Sequence, residues 1–117
     1  MVLVERALVV TFEGGVWRLV RQGKLVGEIT IETADWPWLN GRFVAGPAFP
    51  DLEPLFSQEL ALLDSLDDDY EAWEAVHGQI ASAVQLVAPH GPVAEFLLHV
   101  QDDQAWFRWS DEPFVEE

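Results

Sequence analysis

The chain has no cysteine, an absence that removes thiol nucleophiles, thiolate zinc sites and disulfide staples together. Cations are nearly as scarce: 6 Lys and Arg stand against 21 Asp and Glu, a formal net charge of −15. A field of that sign repels nucleic acid and anionic membranes. No apolar run approaches the roughly 20 residues needed to span a bilayer. The amino-terminal MVLVERALVV is interrupted by Glu5 and Arg6, and no small-residue cleavage pattern follows it, so a signal peptide is not expected. These absences predict a soluble cytoplasmic protein. Catalytic signatures are missing too. The serines at 57, 65, 82 and 110 lack a Gly-x-Ser-x-Gly elbow, and the glycines of GGVWRLV are not followed by a phosphate-loop pattern.

What is present is an ample apolar supply: 50% of the residues are hydrophobic and six are tryptophan. A chain of 117 residues with that content is expected to fold as a single domain, 1–117, around one core. Its charge is unevenly placed, because no Lys or Arg occurs between Arg42 and Arg108 while that interval carries twelve Asp and Glu. Solubility alone accounts for an acidic surface. The functional alternative is that the acidic stretch docks a basic protein or imitates a phosphate backbone.

The segment VWRLVRQGKLVGEITIE predicts a hairpin turning at Gln22 and Gly23, with Val20 opposite Leu25 and Val16 opposite Ile29. That register puts Val16, Val20, Leu25, Gly27, Ile29 and Ile31 on the core face and Trp17, Leu19 and Val26 on the other. ALVVTFE, before Gly14 and Gly15, is a candidate preceding strand. In ADWPWLNGRFV, Pro37 favours an extended Trp36 and Asn40-Gly41 reads as a turn before a short strand at Arg42 to Ala45. Leu52, Leu55, Phe56, Leu60, Leu63 and Leu66 recur at helical spacing, with Asp51 as N-cap and Pro54 in the first turn. Asp68 and Glu71 form a capping-box pattern for a second helix whose stripe is Trp73, Val76, His77, Ile80 and Val84. The Gly/Pro clusters GPAFP and APHGP bracket this helical pair.

PVAEFLLHVQDDQAWFRWS predicts a closing hairpin around Asp102-Asp103, pairing Val100 with Ala105, Leu98 with Phe107 and Phe96 with Trp109. The order β-β-β-α-α-β-β-β implies an α+β domain: a largely antiparallel sheet of about five to six strands with a two-helix hairpin packed on one face.

The candidate surface is the sheet face opposite the helices, carrying Trp17, Leu19, Val26, Leu97, His99, Trp106 and Arg108. If left open, a contiguous Trp/Arg patch serves a protein partner, a second copy or a ligand groove; an additional strand or tail across it would make it core instead. Trp36 and Trp38, flanking Pro37, form a candidate stacking wall for a sugar, a base or a proline-rich peptide, with the acidic surroundings against a nucleic acid, or a plug at the sheet's end. His99 with Glu95, near Arg108, is the one acid–base arrangement the spacing suggests. Glu74-x-x-His77 places two potential ligands on one helix face, but a carboxylate-bridged metal pair needs a second such motif, and Glu59 is the sole obvious extra carboxylate. DSLDDDYEAWE lacks the ligand spacing and central glycine of a calcium loop. No metal or cofactor is therefore expected.

The pieces DWPWLNGRF, GPVAEFLLHV and AWFRWSDEPF together resemble a group of small acidic bacterial proteins with no established activity. The resemblance covers most of the chain after Val16, implies a compact stand-alone domain and transfers no catalytic residue. The leading expectation is a non-enzymatic interaction domain that binds a basic protein, with an immunity-type or inhibitory protein as one concrete form. The alternatives are a small-molecule binder or small enzyme with a Trp/His/Arg pocket, and a self-associating structural domain that forms a homodimer.

Overall fold

A computed structural model of the protein describes residues 14–35 and 37–110. Its elements are β1 (Val16–Arg21), β2 (Lys24–Asp35), β3 (Trp38–Ala45), a 3-10 turn (Phe49–Asp51), α1 (Glu53–Asp64), α2 (Leu66–Ala83), β4 (Gln85–Ala88), β5 (Gly91–Pro92), β6 (Glu95–Gln101) and β7 (Gln104–Ser110). The class is α+β, and the seven strands form one antiparallel sheet in the order β5-β4-β1-β2-β3-β7-β6. The strand beyond the expected count is β5, drawn from APHGP. It is tolerated at the sheet's margin, where Pro92 need not donate to a further ladder. The candidate strand in ALVVTFE lies outside the described residues.

Gln22 and Gly23 both take positive φ, 52° and 79°, the geometry of a tight two-residue hairpin turn. Val20 faces Leu25 as expected, but the register then slips, because Leu19 faces Gly27 and Val26 is the extra residue of a β-bulge. One inserted residue inverts the facing of everything beyond it on β1. Val16 consequently faces Thr30 and is exposed, while Trp17 and Leu19, expected on the outer face, are core residues at 1% and 0% exposure; Val26 is buried as well.

A second bulge at Glu32 separates the Ile31–Gly41 pair from Thr33–Asn40. Asn40 and Gly41 are thus strand residues rather than a turn. The glycine answers a steric need: a Cβ at Gly41 would stand 2.4 Å from the carbonyl oxygen of Thr30. The chain reverses instead between Asp35 and Trp38, which face each other across β2 and β3.

The β6–β7 hairpin has the expected register throughout, with Phe96, Leu98 and Val100 opposite Trp109, Phe107 and Ala105, and Asp102 takes φ 56° in its turn. The rings of Trp17 on β1 and Phe107 on β7 lie 4.9 Å apart although β2 and β3 intervene. Strands space at about 4.8 Å, so three flat steps would separate them by roughly 14 Å; the sheet therefore curls to enclose its own apolar face.

The helices meet the sheet chiefly along β6, and Phe56 of α1 joins the core through Phe49 and Phe43, with ring centroids 6.0 and 5.1 Å apart. Their ends differ from the expected caps. Asp51 belongs to the 3-10 turn and Leu52 occupies the N-cap of α1. α2 starts at Leu66, ahead of the Asp68 pattern, and its backbone leaves helical geometry at Asp69, whose carboxylate accepts from the Ser65 hydroxyl at 2.7 Å. Among the described residues no helix is long and apolar enough to cross a membrane.

Candidate functional site: a buried carboxylate between helices and sheet

Leu52, Leu55, Phe56, Leu62 and Leu63 are spaced to turn one side of α1 inward, and Glu59 falls within that same stripe. Its side chain is 0% exposed. The carboxylate oxygen Oε2 accepts from the indole N–H of Trp73 on α2 at 2.6 Å and lies 2.8 Å from Nδ1 of His99 on β6. Which partner donates in that second contact is set by the tautomer of the imidazole. One oxygen thereby ties three elements together. The other, Oε1, is buried with no hydrogen-bond partner among the described residues.

His77, one turn beyond Trp73 on the inner face of α2, stacks on Trp73 at 5.3 Å and accepts the backbone N–H of Leu98 through Nε2 at 3.4 Å. A backbone N–H can only donate, so this nitrogen is unprotonated and the ring is neutral when the bond is made. Burial lowers the pKa of His77 by disfavouring the charged ring; Glu59 opposes that shift and His99 adds to it. The bond also satisfies a donor on β6, the outermost strand on its side of the sheet among the described residues.

Beside this bond His99 is flanked by Trp38, stacked at 5.8 Å, and by Trp106, at 5.3 Å, so it lies buried against α1 rather than open on a sheet face opposite the helices. The structure thus brings together three of the residues singled out in the sequence. It separates others. Trp17 and Leu19 are in the core, Trp36 lies outside the described residues, and Leu97 and half-buried Arg108 face each other one step along the ribbon. The carboxylate partner of His99 is Glu59, not Glu95, which sits opposite Ser110. Glu74 is exposed while His77 is buried, and no group of three or more potential metal ligands occurs among the described residues.

Glu59 and Trp73 were the residues that strand-based reasoning missed. Their trace in the sequence is a carboxylate placed within an apolar helical stripe, where burial without a partner would be costly. A carboxylate–imidazole pair is suited to proton transfer, but with His99 at 5% exposure and Glu59 at 0% the pair has little reach to a substrate. What the geometry accomplishes is attachment of the helical pair to β6.

The outer side of the same helices is different. Asp51, Glu53, Asp64, Asp67, Asp68, Asp69, Glu71 and Glu74 are exposed, and Asp102 and Asp103 extend the acidic surface onto the β6–β7 turn. Tyr70, 51% exposed, stands among them with its ring 5.9 Å from Trp73. On the sheet, by contrast, Arg18 pairs with Glu28 at 3.6 Å and Arg42 with Glu32 at 3.8 Å. Compared with family models, with curated proteins and with solved structures, the chain matches none.

Proposed function

We propose that this protein is a non-enzymatic interaction module whose acidic helical pair and adjoining turn bind a basic protein. The observation that carries this reading is the exposure of ten carboxylates between residues 51 and 103, in an interval with no Lys or Arg to neutralise them. Like charges held together raise the local potential, accelerate the approach of a cationic partner and reject anionic ones. Exposed Tyr70 supplies the aromatic area that an electrostatic surface lacks by itself. An inhibitory or immunity-type protein acting on a basic effector is one form this function takes.

The test is capture from an extract of the source cells with the wild-type protein and with a variant carrying Asp67→Asn, Asp68→Asn, Asp69→Asn and Glu71→Gln. The expected result is a basic protein retained at about 50 mM salt and released at about 500 mM, where the Debye length is only a few ångströms, with retention lost in the variant. Retention that ignores both salt and the four substitutions would discard the reading.

A further inference from the structure

Between the first turns of α1 and the β6–β7 turn lies a cleft of about 340 Å3, near the lower end of the roughly 300–1,000 Å3 typical of ligand pockets. Phe49 and Leu60 are its partly exposed apolar residues, over buried Phe56 and Val100; Ser57 and Gln101 line it as well, and Glu53 and Asp102 are its carboxylates. Every lining residue falls between positions 49 and 102, a stretch without Lys or Arg. Local structure explains part of this. Glu53 complements the amino-terminal end of a helix dipole, and Asp102 suits the positive φ of its turn. Neither reason accounts for a cleft that sets Phe49 and Leu60 beside two acids with no cation in its lining.

We propose that this cleft is where the basic partner seats a lysine or arginine side chain, its methylene stem on Phe49 and Leu60 and its cationic head between Glu53 and Asp102. The inference rests on the interaction function above and narrows it to one place and one chemistry. Long cationic side chains bury the stem while the head stays polar, which matches a mixed lining where Phe49 and Leu60 stand beside Ser57, Gln101 and two carboxylates. A phosphate or carboxylate ligand would meet two like charges and no cation. A wholly apolar ligand would strand those charges without use.

The experiment is an amide-shift NMR titration of the full chain at about 50 mM salt, where screening is weak, with two probes: hexalysine, and a hexamer of 2,4-diaminobutyrate that is equal in charge but shorter by two methylenes per side chain. Hexalysine is expected to move the amides of Ser57, Leu60, Val100 and Gln101. The shorter peptide should bind about tenfold more weakly, the value of roughly two buried methylenes. The double variant Glu53→Gln/Asp102→Asn should weaken hexalysine binding about tenfold, and Asp67→Asn/Asp69→Asn, which removes the same charge elsewhere, about twofold. Equal affinity for the two peptides, or shifts confined to residues 67–71, overturns the cleft and leaves the wider acidic reading standing. Cleft amides that move on dilution without peptide identify a second copy as the occupant and overturn it as well. Failure of both peptides to bind at all removes the cleft and the interaction function together.

Discussion

The interior of the curled sheet and the seam between helices and β6 are built from different physics. Inside the sheet, Trp17, Ile29, Leu39, Leu98 and Phe107 are each at or below 1% exposure, so stability there depends on volume and close packing. At the seam, Glu59 is as deeply buried as any of them, yet it is held by directed bonds to Trp73 and His99. Its stability depends on charge state and on whether each donor keeps its acceptor. The acidic surface proposed to recognise a partner rides on the helices, so the charge-dependent seam fixes the position of that surface while the apolar interior fixes the sheet.

Two substitutions separate these regions. Phe107→Ala removes a 0%-exposed ring that contacts Trp17 and is expected to cost about 3–5 kcal/mol, read as a fall in the denaturant midpoint of the same size at pH 7 and pH 5. Glu59→Gln keeps the shape of the seam but introduces an amide N–H2 where no acceptor waits. An expected loss of about 1–3 kcal/mol should be concentrated in the helices, seen as faster amide exchange in α1 and α2 with β1–β3 unchanged. A uniform loss across the molecule in the second variant would merge the two regions into one cooperative core.

The two hairpins show why one part of the fold was legible and another was not. In β6–β7 no bulge interrupts either strand beyond the two-residue turn, so pairing Phe107 with Leu98 followed from counting outward from Asp102-Asp103. In β1–β2 the same counting failed at Val26, because a bulge adds a residue without changing composition. Its faint trace is the adjacent burial of Val26 and Gly27, which breaks strict alternation. Misplacing Trp17, Leu19 and Val26 followed directly, and with them three of the seven residues of the expected recognition face. Gly41 was mistaken for a turn residue because a glycine required by close backbone approach and one required by positive φ are identical in sequence. The cluster of Trp38, His99 and Trp106 was partly visible, since strand parity put His99 and Trp106 on one face. Its anchor was not: Glu59 is 40 residues from His99, and only the tertiary packing of α1 beside β6 joins them.

The smallest of these effects is also the one that distinguishes the regions most cleanly, because it needs no change in packing. His77 is neutral in the fold, and burial lowers its pKa below the unfolded value near 6.5. Below that pH the unfolded chain binds the proton more readily than the native one does, so stability falls as pH drops and is fully present above it. One proton limits the slope to about 1.4 kcal/mol per pH unit. The groups facing His77 are Glu59 on α1, which favours its protonation, and His99 on β6, which opposes it. His77→Gln retains an acceptor for the Leu98 N–H without a titrating ring, so its denaturant midpoint should decline less than that of the wild type between pH 7 and pH 5. Parallel declines in the two proteins would show that acid sensitivity arises elsewhere and that the His77 contact contributes packing alone.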